Sequence, residues 1–519
     1  MVEERLRNCL RLSASSAKPC RLLVIGASLA QCQAVAQVWP QQGTRLHMVR
    51  LDAAATPWQR QTLNHCVDLT DWGGLENLPN SLGQFDAVWL GSDSPASEQT
   101  ALARGLRRRV WRNAWLYTAG PASTETQAAW ADNGWCWSDS DLSAHAWAQP
   151  RWPLPEAPTP LAQHAMVIGA GLAGAATVAQ LTARGWRVDW LDSGTTAACG
   201  ASALPVGMLS PHPTAQPTPM SELTNWGIAH TTDALHRHLP EQSGWCATRV
   251  DDAHGTQGRQ DPAYLIEPAA LVNAWAEAAL RTERVRWLAQ TPVARIQRMA
   301  GQWQALDTAD QVQAQAPVLI LANGYGSKAL LNGAADALRP VAGQMSWARL
   351  HNTDTAPAPH PRRNHGVLSP DFTGSRGRLW AVGSTYRRGV NETTVSESDH
   401  DSNRDSLLRL CPSAVPRFDQ QRMQGQLQAF VGVRCATPDR MPVLGAVPLT
   451  PHAWPNRGGL AAVERQTGLY VFAALGSRGL TLAAWGADTL ADLIEGLPLA
   501  TPAHLVQACD PARKSLRSA

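Results

Sequence analysis

The sequence predicts an α/β protein of two units. The first is a shortened Rossmann-like unit, and the second is a Rossmann unit with an interleaved α+β subdomain. Apolar runs alternate with helical patterns in both parts, which is typical of parallel sheets covered by helices. A stretch with four prolines, WPLPEAPTPL at 152–161, separates the two parts and predicts a stiff linker. A chain of 519 residues is also long enough to form two or three cores.

The part before the linker contains four apolar runs that predict strands and one helical pattern. The strands are predicted at 21–26, 45–51, 85–90 and 114–118, and the helix at 30–38. Strands that alternate with helices in this way predict a parallel sheet with helices on both faces.

Charge and cysteine usage exclude several classes of protein. The net charge is only +3, so the global charge indicates no particular partner. The ten cysteines include no C-x-x-C pair, which argues against a zinc or dithiol site, and no metal is predicted. Asp488 and Asp492 interrupt the longest apolar stretch near the C-terminus, which argues against a membrane span. Without an apolar run of signal-peptide length, the protein is predicted to be cytoplasmic.

The most informative motif follows the linker directly. A short apolar strand leads into GAGLAG (169–174), and a helical pattern then leads to a second apolar strand. In such a loop Gly169 permits the tight turn, Gly171 lets the backbone approach a pyrophosphate, and Gly174 allows close helix–strand packing. Asp192 ends the second strand, about twenty residues on, where a carboxylate accepts hydrogen bonds from ribose hydroxyls. Strand, loop, helix, strand and acid in this order predict a dinucleotide site.

Three later segments favour FAD over NAD. GAS at 200–202 is suited to close contact with the phosphoribityl part of a flavin, and PVLILANG at 317–324 predicts a strand that returns to the cofactor. LYVFAA at 469–474 predicts another strand, followed by a loop and a helix whose N-terminus would stabilise negative charge on a reduced flavin. Each segment alone is equally consistent with an ordinary loop. Together they predict cofactor contacts at Ala201, Ser202, Gly324, Gly476, Ser477 and Gly479.

From about residue 165 to its end, the chain resembles the FAD-dependent C-terminal domain of the bacterial bifunctional tRNA-modifying MnmC family. The matching stretches are GASALPVGMLSPHP, PVAGQMSWA, VGSTYRRG, VGVRCATPDRMPVLGAVP and VFAALGSRGL. The resemblance implies a glycine-oxidase-like (DAO) fold with FAD. It also implies oxidation of the carboxymethylaminomethyl group on the wobble uridine of tRNA, which releases glyoxylate and leaves an aminomethyl group.

A substrate of this kind is a glycine derivative, and its carboxylate needs a cation if it is to be buried. Arginine is the preferred partner because its planar fork binds a carboxylate through two hydrogen bonds. Arg434 in the GVR motif and Arg478 in the GSRG loop are the candidates, with Tyr386 as an orienting hydroxyl. A structural role, in which each arginine ties a loop to backbone carbonyls, is the alternative.

Basic residues elsewhere are candidates for contact with the phosphates of tRNA. They are the Arg387–Arg388 pair and the C-terminal residues Arg513, Lys514 and Arg517.

The first part of the chain resembles the methyltransferase domain of the same family but departs from it at the functional loops. The glycine-rich cofactor loop after the first strand is here Gly26-Ala27-Ser28-Leu29-Ala30, with a single glycine. Where the family has Asp-Gly-Phe-Ala-Pro, this chain has GSDSP at 91–95. These departures argue against S-adenosylmethionine binding and predict a degenerate methyltransferase-like domain. The alternative is a methyltransferase that remains active, with Asp93 in place of the lost acid.

The resulting prediction is a methyltransferase-type domain at 1–151, a linker at 152–161 and an FAD-dependent oxidoreductase domain at 162–519. The substrate subdomain is expected at about 211–259 and 339–422, with antiparallel strands that cover the flavin. Two other functions remain open. One is a small-molecule glycine, sarcosine or D-amino-acid oxidase, and the other is a non-catalytic tRNA-binding protein with a retained flavin.

Overall fold

The structure is a computed structural model. It describes residues 20–39, 45–52, 54, 59–64, 67–73, 85–91, 99–106, 109–119, 122–137, 145–148, 162–252, 260–331, 336–449, 459–497 and 499–513. The predicted linker at 152–161, Asp93, Lys514 and Arg517 lie outside these ranges.

The chain divides into two compact units. The first comprises Met1–Pro160 and Asp492–His504, and the second comprises Leu161–Ala491 and Leu505–Ala519. Residues 492–504 thus group with the first unit, whereas the sequence prediction placed them in the oxidoreductase domain. An ion pair between Arg60 and Asp492 (2.6 Å) is one of the interactions that hold this segment in the first unit.

The first unit is built on an eight-stranded sheet. Its strands are β1 (Cys20–Ile25), β2 (Leu46–Leu51), β3 (Gln59–Asn64), β4 (Val67–Gly73), β5 (Phe85–Leu90), β6 (Val110–Thr118), β7 (Trp135–Trp137) and β8 (His145–Ala148). Its helices are α1 (Leu29–Val38), α2 (Gln99–Leu106) and α3 (Thr124–Ala131). The strand order is β3-β4-β2-β1-β5-β6-β8-β7, and β1 pairs in parallel with both β2 and β5. The chain therefore changes direction across the sheet between β1 and β5, the switch point of a doubly wound fold.

The second unit contains two large sheets. Its strands are β9 (His164–Ile168), β10 (Arg187–Leu191), β11 (Gly207–Leu209), β12 (Trp245–Asp252), β13 (Gln260–Ile266), β14 (Val285–Leu288), β15 (Arg295–Met299), β16 (Gln302–Leu306), β17 (Val312–Ala316), β18 (Val318–Leu321), β19 (Arg339–Arg349), β20 (Arg362–Arg363), β21 (Val367–Gly374), β22 (Gly377–Gly383), β23 (Arg387–Arg388), β24 (Gln428–Ala436), β25 (Val443–Pro448) and β26 (Arg465–Ala473). The helices from residue 162 onwards are α4 (Leu172–Ala183), α5 (Pro219–His238), α6 (Pro268–Leu280), α7 (Ser327–Leu330), α8 (Glu397–Leu410), α9 (Val415–Met423), α10 (Gly479–Glu495) and α11 (Ala503–Cys509).

The first large sheet has the order β14-β10-β9-β18-β26-β25 and is parallel except for the pairing of β25 with β26. β18 has the sequence VLIL, and all four side chains are buried because helices or neighbouring strands cover both faces. The chain leaves β9 towards β10 on one side and returns to β18 on the other. The second switch point therefore lies between β9 and β18, where a cofactor is expected in such a sheet.

The second large sheet is almost entirely antiparallel and has the order β11-β13-β12-β20-β21-β22-β19-β23, with β24 paired to β19. It spans residues 207–266 and 339–436, so it reaches beyond both of the predicted substrate-subdomain segments. Strands β15, β16 and β17 form a separate three-stranded sheet. Among the described residues, no helix is both long and apolar enough to cross a membrane.

Candidate active site

Gly169 ends β9 and makes the turn into α4. Its φ is +112°, and a Cβ atom there would lie 2.6 Å from the carbonyl carbon and oxygen of Ala322. A Cβ on Gly174 would lie 1.8 Å from the carbonyl oxygen of Gly169. Only glycine fits at either position, so the first turn of α4 can approach the ends of β9 and β18 closely.

Gly171 and Ser202 meet at the N-terminus of α4. Gly171 is the N-cap and has no side chain to offer the helix, whereas the Oγ atom of Ser202 accepts a hydrogen bond from the Leu172 amide (3.1 Å). A Cβ atom on Gly171 would lie 3.0 Å from that Oγ atom. The segment containing Ala201 and Ser202 therefore packs directly on the glycine loop.

Asp192 braces the same loop from the end of β10. Its carboxylate accepts hydrogen bonds from the Ala170 amide (2.6 Å) and from the Gly194 amide (2.7 Å). A carboxylate has about four lone-pair sites, so two remain for ribose hydroxyls. Asp192 can thus hold the glycine loop and bind a nucleotide ribose at the same time.

A cavity of about 800 Å³ opens above these residues in the second unit. It is lined by glycine-loop residues, by both sheets and by the loop before α10. Of the predicted site residues, it is lined by Gly169, Gly171, Asp192, Ala201, Ser202, Gly324, Tyr386, Arg434, Gly476, Ser477 and Gly479. Gly174 and Arg478 do not line it.

Arg434 reaches the cavity from β24. Its guanidinium donates to the Thr385 carbonyl (3.3 Å) and to the Ser384 hydroxyl, and it lies 4.7 Å from the centre of the Tyr386 ring. Burial lowers the pKa of Arg434 from the ordinary arginine value, an effect that Tyr386 partly opposes. No carboxylate pairs with this guanidinium within the described ranges. The cavity therefore contains a largely buried cation that has no counter-ion among the residues the structure describes.

The structure also identifies residues that the sequence prediction missed. Arg434 pairs with Val341 in the register of β19 and β24, and its side chain reaches over Gly343, where a Cβ atom would lie 2.2 Å from one guanidinium nitrogen. A glycine within a strand is a signal for such a close approach. Ser384 and Thr385, which orient the guanidinium, carried no comparable signal.

Tyr386, which lies next to Arg434, also interacts with Arg478, and the two residues differ in exposure. Tyr386 is 59% exposed, and Arg478 is half-buried. Burial is the main cause that lowers the pKa of Arg478; Tyr386 raises it, and the charge of Arg440 lowers it further. Tyr386 therefore lies within electrostatic range of both arginines.

The prediction that Arg513 contacts tRNA phosphates is wrong. Arg513 is buried and forms a bidentate ion pair with Asp439 (2.7 and 2.9 Å). It also donates to backbone carbonyls, including that of Pro442 (2.9 Å). Arg387 is likewise engaged, since it pairs with Asp399 (3.2 Å). Arg388 is exposed and remains a candidate.

Comparison with known proteins identifies a matching family and several relatives. The DAO family, described as FAD dependent oxidoreductase, matches residues 164–250 and 258–493. A "tRNA 5-methylaminomethyl-2-thiouridine biosynthesis bifunctional protein MnmC" from Verminephrobacter eiseniae is 34% identical over 71% of this chain and 67% of its own length. The MnmC protein of Ralstonia nicotianae is 29% identical over 95% of this chain and 82% of its own length.

Two further relatives are longer than this chain, and one solved structure has a similar fold. The chain spans 61% and 59% of the length of two further MnmC relatives, both from Polaromonas. Among solved structures, the fructosamine oxidase Amadoriase II from Aspergillus fumigatus has a TM-score of 0.52 at 13% identity, covering 68% of this chain and 90% of that one. At this identity the likeness supports the fold alone.

Proposed function

The chain belongs to the DAO family of FAD-dependent oxidoreductases and to its MnmC members, and from that premise we propose that it oxidises a glycine-type secondary amine on tRNA. The substrate is the carboxymethylaminomethyl group of the wobble uridine. Loss of a hydride from the CH₂ next to the carboxylate, together with the proton on the amine nitrogen, turns the amine into an imine. Water then cleaves the imine into glyoxylate and an aminomethyl group, which remains on the uridine.

The residues at the cavity fit FAD. Gly169 and Gly174 leave no room for a side chain, and Gly171 leaves the N-terminus of α4 open for a pyrophosphate. Asp192 would hold the ribose, and Ser202 would stand beside the phosphates. FAD, when bound, accepts the hydride from the substrate carbon, and the remaining tasks fall to the protein.

One observation carries the proposal: Arg434 is a largely buried guanidinium that lines the cavity and has no acidic partner among the described residues. A buried charge is costly unless it is paired, so this arrangement is favourable when a ligand anion completes it. The carboxylate of a glycine derivative is such an anion. Bound in the fork of Arg434, it would hold the neighbouring CH₂ in a constant position at the cavity.

The test is anaerobic reduction of the purified yellow protein, followed in the flavin absorbance band. We expect tRNA that carries the carboxymethylaminomethyl group to bleach the flavin rapidly and to release glyoxylate, whereas glycine and sarcosine do so slowly. Bleaching by the free amino acids alone would assign the protein to the small-molecule amine oxidases.

We also propose that the first unit has lost methyl transfer. A Cβ atom on Gly91, which follows β5, would lie 1.8 Å from the carbonyl oxygen of Gly26, which follows β1. The two loops at the switch point are thus in contact, where a cofactor would need space.

The acid after β2 supports the same conclusion. Asp52 stands where a Rossmann-type unit presents a carboxylate to a ribose, but it pairs with Arg50 (3.2 Å) and accepts from the Ala54 amide (3.0 Å). We expect no S-adenosylmethionine binding by calorimetry. Formation of the methylated nucleoside by purified protein would contradict this proposal.

A further inference from the structure

A second group of arginines lies beside the cavity and takes no part in the proposed carboxylate site. Arg478 follows the cavity-lining Ser477, and the Gly476 amide in the same loop donates to the carbonyl of Cys435 at the end of β24 (2.8 Å). The loop at 437–442, which carries Arg440, begins two residues after Cys435. The loop that carries Arg478 and the loop that carries Arg440 are thus both connected to Cys435, the residue after Arg434.

Arg440 is held rigidly and faces solvent. Asp439 accepts from the Thr437 hydroxyl (2.8 Å) and the Met441 amide (3.1 Å), and its carboxylate is clamped by Arg513. The clamp fixes Arg440 at φ +61°, a backbone conformation that is unfavourable for a residue with a long side chain. The exposed Arg440 therefore lies in a short loop that Asp439 and Arg513 hold in place.

Arg478 and Arg440 also lack acidic partners in the part of the chain that the structure describes. By contrast, Arg363, which lies in the same unit, binds Asp261 (2.5 Å) and Asp252 (3.5 Å). Arg478 is near enough to Arg440 for their charges to interact. It is also near His212, whose pKa is lowered mainly by burial and further by the charge of Arg478. Positive charge is thus concentrated here without neutralisation, which favours an anionic ligand.

We infer that Arg440 and Arg478 form a phosphate-binding subsite for the RNA backbone next to the nucleotide whose modified base enters the cavity. The inference rests on the proposed function and assigns different anionic groups of the substrate to different arginines. Arg434, largely buried and lining the cavity, binds the carboxylate of the substrate group. Arg478, half-buried, and Arg440, exposed, bind phosphodiester oxygens outside, where RNA presents one anion per nucleotide.

The first test measures binding without catalysis. Labelled anticodon stem-loop RNA is titrated with the FAD-loaded full-length protein at several salt concentrations, for the wild type, Arg440→Gln and Arg478→Gln. Each variant should raise the Kd about tenfold and reduce the slope of log Kd against log salt by about 0.7 to 0.9. Arg409→Gln is the matched control, because Arg409 is an exposed arginine that does not line the cavity, and it should leave binding unchanged.

The second test separates phosphate from carboxylate. Flavin reduction by the free carboxymethylaminomethyl-uridine nucleoside, which has no phosphate, should proceed equally in the wild type and both variants, and their flavin content should be equal. Unchanged RNA binding in both variants would overturn the inference. An equal loss with nucleoside and RNA would assign these arginines to the carboxylate, and loss of flavin would assign them to the cofactor.

The outcomes also separate the inference from the proposed function. If the wild type binds RNA through these arginines but oxidises neither substrate, the subsite stands and the proposed reaction fails. If the wild type binds no RNA yet oxidises the nucleoside, the subsite is wrong and the amine chemistry stands.

Discussion

Replacement of Arg434 tests whether the guanidinium at the cavity binds the substrate carboxylate. Arg434→Lys keeps the charge but loses the planar fork, so at least one charge-assisted hydrogen bond to the carboxylate is lost. Such a bond contributes about 1.5–3 kcal/mol, which corresponds to a decrease of roughly 10- to 100-fold in kcat/KM. Arg434→Met leaves the carboxylate without a partner, at a cost of about 3–5 kcal/mol, or roughly 10²- to 5 × 10³-fold.

The same change should have little effect on the stability of the fold. Arg434 has no acidic partner within the described residues, and burial already lowers its pKa. Among the described residues its removal therefore leaves no buried carboxylate unpaired, and the losses are the hydrogen bonds to Ser384 and Thr385 and the contact with the Tyr386 ring. We expect Arg434→Met to unfold at a urea concentration close to that of the wild type and to retain FAD.

The assay is single-turnover flavin reduction over a range of substrate concentrations, with the natural group and with its carboxamide analogue. In the wild type, the carboxamide should react much more slowly than the carboxylate. In Arg434→Met the two should react at similar rates, because the group that distinguishes them is absent. Unchanged kinetics in Arg434→Lys, or a full preference for the carboxylate in Arg434→Met, would refute the reasoning.

Three further predictions concern the cofactor loop, the C-terminal clamp and a buried thiol. Gly174→Ala should lower FAD content and stability, because its Cβ atom would lie 1.8 Å from a carbonyl oxygen; Gly200→Ala, with no protein atom within 4 Å of its Cβ, should retain stability. Arg513→Ala should lower the free energy of unfolding by about 3 kcal/mol, because it leaves the carboxylate of Asp439 without its cation; an unchanged urea midpoint would contradict this. Burial raises the pKa of the Cys435 thiol to about 12, so iodoacetamide at about pH 8 should modify the exposed Cys199 and spare Cys435; alkylation of Cys435 in the folded protein at that pH would contradict this.

The cofactor loop could be predicted in detail from sequence, because its determinants are local. Gly169, Gly171 and Gly174 are spaced for one turn between a strand and a helix, and the strand limits in the structure differ from the predicted ones by a residue or so. The departures of the first unit from the family's glycine-rich loop could be recognised for the same reason, since Gly26 lies in a short loop directly after a strand.

The roles of the arginines could not be predicted in this way. Arg434 and Arg478 occur in motifs of otherwise small or apolar residues and Arg513 in the basic C-terminal stretch, and each of them was a candidate ligand-binding group. Arg513 is instead clamped by Asp439, 74 residues away in the chain. Whether an arginine meets a carboxylate or a cavity depends on which distant strands and loops fold against it. The sequence by itself determined the dinucleotide loop and the family, because both are written in contiguous residues. The tertiary structure alone decided which guanidinium groups meet a carboxylate among the described residues and which do not, because the free energy of a charge depends on neighbours that the chain brings together only on folding.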